Sequence, residues 1–193
     1  GFIIGSASLG HTVSYDVLSH FVKSFTSVPV VSLGIRIEGL ASVVPDIRVG
    51  MKAMMNQLLE TRGYQRFAFM RGFKNNRDSL EREAVVQETL KEKGLTLDPE
   101  LILQGNYMTE NAFVAMNDLL SRRRDFDVVA AANDLMAWGV VHALSKHNVS
   151  VPYEVAVVGF DGHKSSRSFL PPLTTVKQPL EYQAKVAAQL LLN

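Results

Sequence analysis

An α/β fold with parallel, doubly wound sheets is the fold class that this sequence predicts. Short apolar runs rich in Val, Ile and Phe alternate with segments whose apolar residues recur at helical spacing, nearly throughout the chain. The run at 155–160 is apolar on both faces, as a buried strand of a parallel sheet requires. We therefore expect parallel sheets flanked by helices and joined by right-handed crossovers.

The first part of the chain contains three apolar strands before a long helix. Val17, Leu18, Phe21, Val22 and Phe25 recur at the spacing of one helical face. Glycine at position 63 is a usual stop for the helix that begins at Asp46. In chain order we predict a strand at 2–4, a helix at 14–25, strands at 28–33 and 42–44, and a helix at 46–62.

The remainder of the chain repeats this rhythm. Gly72 follows the next strand, and Gly94 ends the helix after it. In chain order we predict strands and helices alternating at 67–70, 78–93, 101–103, 110–122, 127–132, 133–147 and 155–160, with a final helix at 181–192.

Composition excludes several classes of protein. The formal net charge of +1 is too small for a nucleic-acid surface, and no apolar run approaches the roughly 20 residues that cross a bilayer. The chain has no Cys, which fits a reducing cytoplasm. It starts inside an apolar strand with no signal-peptide pattern, so we expect a fragment of a cytoplasmic protein that makes no membrane contact.

Catalytic and metal-binding motifs are missing from the sequence. No G-x-S-x-G or G-x-G-x-x-G motif occurs, and the segment 162–165 lacks the earlier glycine of a phosphate loop. His142 and His147 are five residues apart, which puts them on different sides of a helix. We therefore expect no catalytic residues, no metal and no cofactor, and hence no enzyme.

Polar residues follow several predicted strands, where open α/β sheets bind ligands. Asn133 and Asp134 follow the strand at 127–132, Asp161 follows that at 155–160, Tyr107 follows that at 101–103, and Arg82 lies on the helix after 67–70. An Arg fork, a carboxylate, an amide and an aromatic face would suit a hydroxyl-rich or heterocyclic ligand. Helix capping by Asn133 and Asp134, a structural turn at Asp161 and packing of Tyr107 remain alternatives.

Three motifs occur in order and carry a family resemblance. They are ANDLMAWG at 132–139, VPYEVAVVGFD at 151–161 and PPLTTVKQ at 171–178. Together they resemble the effector-binding core of the LacI/GalR regulators, which is built like the periplasmic sugar-binding proteins. The resemblance implies a two-lobed fold of type I, with the ligand held between the lobes. It assigns 1–45 and 180–193 to a truncated first lobe with an exposed apolar sheet edge, 46–172 to a second lobe, and 173–179 to the return crossing.

The resemblance also implies which side chains bind the ligand. Arg82 matches the family's ligand-clamping arginine, Tyr107 an aromatic wall, and Gln178 a residue of the crossing. The expected ligand-binding set is Arg82, Asn133, Asp161, Tyr107, Gln178 and Asp46, the last from the entry to the second lobe. The sequence departs from the family at Gly162, where an Asp is usual, and at Val85, where a Gly is usual.

The function implied is that of a ligand-sensing domain in a LacI/GalR-like transcriptional regulator. Its partners would be a small polar effector, such as a sugar or similar metabolite, and a second copy in a homodimer, with DNA contacted only through a domain absent from this chain. Segments 37–46 and 67–72 resemble LacI-like sensors fused to diguanylate cyclase or histidine kinase modules, which is one alternative. A periplasmic sugar-binding transport receptor is the other.

Overall fold

The computed structural model describes residues 1–9, 13–25 and 27–192, which fold into eight strands, seven helices and three shorter helical segments. The strands are β1 (Phe2–Ile4), β2 (Val30–Leu33), β3 (Ala41–Val43), β4 (Phe67–Arg71), β5 (Ile102–Gln104), β6 (Val128–Ala131), β7 (Ala156–Asp161) and β8 (Thr174–Lys177). The helices are α1 (Ser6–Leu9), α2 (Tyr15–Lys23), α3 (Ile47–Asn56), α4 (Arg77–Glu92), α5 (Thr109–Leu120), α6 (Asp134–Lys146) and α7 (Leu180–Leu192). The shorter segments are a π-helix at Gln57–Thr61 and 3-10 turns at Pro99–Leu101 and Lys164–Arg167.

The predicted α/β fold class is confirmed. Every strand pairing among the described residues is parallel, and the strands form one sheet of three and one of five. The chain divides into two compact units: unit 1 is Gly1–Asp46 with Pro179–Asn193, and unit 2 is Ile47–Gln178.

Unit 1 contains the three-stranded sheet, in the order β1-β2-β3. Its core joins Leu18 and Val22 of α2 to Val30 of β2. β1 is an edge strand, and its Phe2 and Ile3 are 50% and 42% exposed. Unit 1 thus has an apolar sheet edge of the kind expected from the sequence, and such edges are liable to pair with other strands.

Unit 2 contains the five-stranded sheet, in the order β5-β4-β6-β7-β8. Residues 67–70 and all of β6 are buried, which is why both strands are apolar at consecutive positions. The methionines at 51, 54, 55 and 136 lie in the same core, as their helical positions predict. The sheet of unit 2 is therefore covered on both faces.

The strand order of unit 2 reverses at its centre. From β4 the chain runs outward to β5 and then returns past β4 to β6. Because such crossovers are right-handed, α4 lies on one face of the sheet, and α5 and α6 lie on the other. The point between β4 and β6 is thus a topological switch point, and its carboxyl edge is where open α/β sheets bind ligands.

Helix α1 was not predicted from the sequence, and two further differences concern residues 46–62 and 173–179. The single helix expected at 46–62 is α3 followed by the π-helical segment Gln57–Thr61, because apolar spacing does not distinguish one helical pitch from another over a single turn. Residues 173–179, expected only as a crossing, contain β8, which pairs with β7 from Val158↔Thr174 to Asp161↔Lys177. β8 has only four residues, half-buried or exposed, so its pattern is a weak signal for a strand.

Candidate functional site

The carboxyl edge of the unit 2 sheet brings together five of the six residues predicted to bind ligand. Arg82 reaches the edge from the second turn of α4, while Asn133 and Asp161 lie where β6 and β7 end. Tyr107 lies in the loop after β5, and Gln178 follows β8. Because all five strands run parallel, their carboxyl ends share this edge, and the candidate site is defined by these five residues.

Arg82 is buried at the switch point, with 4% of its surface exposed. Its Nη1 donates a hydrogen bond to the carbonyl oxygen of Ala132, and its guanidinium carbon lies 3.9 Å from the centre of the Phe160 ring. Its Nε is buried and has no hydrogen-bond partner among the described residues. The Phe160 ring and the Ala132 carbonyl therefore hold the guanidinium in place, while much of its donor capacity is unused.

Asp161 supplies the negative charge beside Arg82. Its Oδ1 lies 3.7 Å from Arg82 Nη1, which is an ion-pair distance beyond hydrogen-bond range. Gln178 donates to the same Oδ1 at 2.7 Å, and its backbone N–H donates to the Asp161 carbonyl at 3.1 Å. Burial raises the pKa of the Asp161 carboxyl, although Arg82 and Gln178 act in the opposite direction. Its φ of +114° is rare for a residue with a side chain, and such backbone strain is concentrated at functional sites.

Asn133 and Tyr107 form the second part of the site. The Asn133 side chain accepts a hydrogen bond from the N–H of Met136 at 2.9 Å, so it caps α6 as the alternative reading expected. Its Nδ2 also donates to the Tyr107 carbonyl at 3.4 Å. The Tyr107 hydroxyl donates to Oδ1 of Asn76 at 3.0 Å, and Asn76 in turn caps α4. Asn133 and Tyr107 therefore stabilise the local fold and also lie within the candidate site.

The Tyr107 ring packs directly on the backbone of Gly72. A Cβ at position 72 would come within 2.2 Å of the ring, so only glycine fits there. The ring also meets Phe73 edge-to-face at 5.9 Å between centres. Burial raises the pKa of the Tyr107 phenol to about 12. The Tyr107 phenol is therefore protonated at neutral pH, and its ring gives the site an apolar surface.

Asp46 and Asp134 are placed differently from the five clustered residues. Asp46 is exposed and belongs to unit 1. Asp134 is 1% exposed, and its carboxylate accepts hydrogen bonds from the N–H of His163, the Ser166 hydroxyl and the Thr175 hydroxyl. Asp134 therefore holds the 163–166 loop and β8, while Asn133 takes the role of the cap.

Two contributors to the site were missed from the sequence. Phe160 was assigned only to a buried strand, because side-chain alternation predicts that it faces away from Asp161. Asn76 was not predicted, although an Asn directly before a helix is a common N-cap in sequences. Its Oδ1 accepts a hydrogen bond from the N–H of Ser79. Its second role, accepting from Tyr107 at 31 positions' separation, has no local sequence signal.

The side chains of the candidate site offer hydrogen-bond donors, acceptors and an apolar surface. Arg82 and Gln178 offer donors, Asp161 offers acceptors and Tyr107 offers an aromatic wall, which together suit a small polar ligand. Within 1–9, 13–25 and 27–192, no three His, Asp or Glu side chains are grouped so that they could hold a metal ion. None of the helices described is long and apolar enough to cross a membrane. A cavity of about 410 Å³ lies elsewhere in unit 2, and none of the six predicted residues lines it.

Comparisons with known proteins identify the family. The model of the periplasmic binding protein-like domain matches residues 57–193. The HTH-type transcriptional regulator CelR of Thermobifida fusca is 33% identical over 161 residues, which are 83% of this chain and 47% of CelR. The HTH-type transcriptional repressor PurR of Haemophilus influenzae (strain ATCC 51907) is 27% identical over 180 residues, which are 93% of this chain and 52% of PurR. The chain thus spans about half the length of these relatives.

Solved structures agree with the sequence relatives. A complex of the transcriptional regulator CelR with cellobiose superposes with a TM-score of 0.77 and 32% identity, covering 85% of this chain and 51% of that one. The expected resemblance is therefore confirmed by a domain match and by the fold. The chain belongs to the periplasmic binding protein-like domain family, as an effector-binding domain of the LacI/GalR type.

Proposed function

We propose that Arg82, Asn133, Asp161, Tyr107 and Gln178 bind a small polar effector at the carboxyl edge of the unit 2 sheet. The effector would report a metabolic state to a transcriptional regulator of which this chain is the sensing part. Asp46 is proposed as a further contact, as expected from the family resemblance.

The observation that carries this proposal is the incomplete hydrogen bonding of Arg82. A guanidinium has five N–H donors, and among the described residues Arg82 makes one hydrogen bond, to the Ala132 carbonyl. Burying a cation with unused donors is unfavourable, and native proteins rarely leave buried donors unpaired without a reason. A ligand carrying acceptor oxygens would complete this hydrogen bonding, since the site lies at the switch point of the sheet.

A sugar or a similar hydroxyl-rich metabolite is the ligand class that we propose. A sugar hydroxyl both donates and accepts, so neighbouring hydroxyls could donate to Asp161 and accept from Arg82. The Tyr107 ring would pack against the apolar face of such a ligand. The CelR–cellobiose complex, whose chain is 32% identical to this one, supports the choice.

The relatives named as HTH-type regulators support a proposal about the whole protein. We propose that the whole protein acts in the cytoplasm as a homodimer and contacts DNA through a part that lies outside these residues. An effector controls such a protein only by its differential affinity for two conformations, for which a coupling of about 1–3 kcal/mol is usual.

Binding of candidate effectors tests the proposal directly. Cellobiose, ribose and hypoxanthine would be titrated into the 193-residue chain by calorimetry and by thermal unfolding. We expect at least one sugar to bind and raise the unfolding temperature, since at a concentration 100 times its Kd a ligand adds about 2.7 kcal/mol of stability. Arg82→Lys keeps the charge but loses the planar fork, and should weaken that binding about tenfold or more.

A control variant tests whether the loss of any arginine charge, rather than of Arg82 in particular, weakens effector binding. Arg122→Gln removes an arginine whose ion pair with Asp118 is exposed, and should leave the affinity unchanged. Circular dichroism would verify that each variant is folded. A sugar that binds Arg82→Lys and Asp161→Asn as tightly as the original chain would remove both residues from the site, and binding of none of the probes would exclude the proposed ligand class.

A further inference from the structure

A cavity of about 410 Å³ lies at the amino-terminal edge of the unit 2 sheet, away from the candidate site. Ala156 and Val157 at the start of β7, and Thr174 at the start of β8, line it from the sheet. The π-helical segment that continues α3 lines another side. This volume lies within the range of about 300–1,000 Å³ that small-molecule sites occupy.

The polar side chains that line the cavity are those of Gln57, Arg62, Tyr64, Tyr153 and Thr174. Among the described residues, the side chains of Gln57, Arg62 and Tyr64 make no hydrogen bond or ion pair, and those of Gln57 and Arg62 are exposed. Among the described residues, no Asp or Glu lines the cavity, and Arg62 carries the only charge of the lining. The cavity therefore favours an anion.

The local backbone is an independent indication of function. Gln57–Thr61 is a π-helix, and Arg62 is its C-cap. π-helical turns are rare, well under 1% of residues, and occur frequently at functional sites. Here the π-helical turn contributes Gln57 and Leu58 to the cavity lining, directly before Arg62.

The remainder of the lining is largely apolar. Met54 and Leu58 line the cavity beside the π-helix, and Val141 and Leu173 also line it. A ligand that fits must therefore present an apolar body to these side chains and a negative group to Arg62. An arginine fork matches a carboxylate bidentately, and the Tyr64 hydroxyl and Gln57 amide could donate to the same group.

We propose that this cavity is a second small-molecule site, which binds an organic carboxylate with an apolar body. Arg62 pairs with the carboxylate, and Leu58, Val141 and Leu173 contact the body. The proposal does not depend on the function of the Arg82 site, because the two sets of residues do not overlap.

The experiment uses 4-phenylbutyrate as the charged probe and 4-phenylbutanamide as its uncharged match. The 193-residue chain, with labelled methyl groups, would be titrated with each probe and followed by NMR. We expect 4-phenylbutyrate to give saturable shifts at the methyl groups of Leu58, Val141 and Leu173. Loss of the charge, either in the probe or by Arg62→Gln, should weaken binding about tenfold.

Arg122→Gln is the matched control, because it removes the same charge from an exposed position outside the cavity and should leave the titration unchanged. Since Arg62 is exposed, its replacement should leave the fold intact, and the unperturbed methyl spectrum would verify this. Absence of saturable shifts at the three residues would overturn the proposal. Equal affinity of the original chain and Arg62→Gln for 4-phenylbutyrate would do the same.

Discussion

The carboxylate of Asp134 accepts a 2.5 Å hydrogen bond from the hydroxyl of Thr175 and thereby joins the start of α6 to the edge strand β8. The same carboxylate accepts from the N–H of His163 and from the Ser166 hydroxyl, each at 2.7 Å. These hydrogen bonds replace the water that a buried carboxylate would otherwise need. Asp134 thus links β8 and the loop after β7 to the helix that carries Asn133 as its cap.

Replacing Asp134 by Asn should destabilise the chain by about 3 kcal/mol. The amide presents a donor where one carboxylate oxygen accepted, so at least one buried donor loses its partner, and charge-assisted hydrogen bonds are worth about 1.5–3 kcal/mol each. Urea unfolding measures the change. Asp118→Asn is the matched control, because its pair with Arg122 is exposed and should cost no more than about 0.5 kcal/mol. Similar losses for the two variants would contradict the structural role of Asp134.

The raised pKa of Asp161 predicts how stability depends on pH. In the folded chain this carboxyl binds its proton more tightly than in the unfolded chain, where its pKa is about 3.9. Stability is therefore lost as pH rises from about 3.9 through the raised value, and the loss is complete above it. Asp161→Asn cannot ionise, so its stability relative to the original chain should increase across this window and then level off. Urea unfolding over a pH series checks this, and a difference that stays constant or falls would rule it out.

Tyr107 should ionise at a higher pH in the folded chain than in the unfolded chain. Its pKa of about 12 in the folded chain exceeds the value of about 10 in the unfolded chain. Stability is thus lost as pH rises from about 10 towards 12, and the late absorbance change should vanish in Tyr107→Phe. At neutral pH the same variant loses the hydrogen bond to Asn76, for about 1 kcal/mol.

The exposed Tyr153 provides the comparison for Tyr107. Tyr153→Phe should leave the late absorbance change in place and the neutral-pH stability unaltered. A late transition that survives in Tyr107→Phe would mean that another tyrosine is responsible.

Gly139 permits close packing between α5 and α6. A Cβ at this position would lie 2.2 Å from the carbonyl oxygen of Thr109 and 2.9 Å from the backbone N of Phe113. Because both are backbone atoms, Gly139→Ala must separate the helices, and should cost about 1–3 kcal/mol in spite of the better helix propensity of Ala. Chemical denaturation measures the cost. Ser145→Ala on the exposed face of α6 should be neutral or stabilising, and a neutral Gly139→Ala would show that the helices can adjust.

The sequence predicted the parts of the fold that follow from local pattern. Consecutive apolar residues located β4, β6 and β7, and the parallel arrangement then required Asn133 and Asp161 to share an edge with Arg82. The role of these residues in ligand binding stays a prediction. The contact of Asp134 with Thr175 spans 41 positions and depends on the pairing of β8, so no local pattern could reveal it.

The π-helical segment and the contact of Arg82 with Phe160 were also not predicted from the sequence. A π-helical turn repeats the apolar spacing of an α-helix closely enough that residues 57–61 read as a continuation of α3. The contact of Arg82 with Phe160 depends on which face of a strand a side chain takes, and the positive φ of Asp161 alters the direction of the chain at that point.

The division of unit 1 into two stretches of chain has a consequence for synthesis. Within these residues, a ribosome makes β1, β2 and β3 before unit 2, and it makes α7, whose Ala187 is fully buried, only after unit 2. Since domains tend to fold as they emerge, the uninterrupted unit 2 can condense while the amino-terminal strands still await their final helix. We therefore expect an interval during synthesis in which unit 2 has folded while β1, β2 and β3 still lack α7, the helix that packs against them.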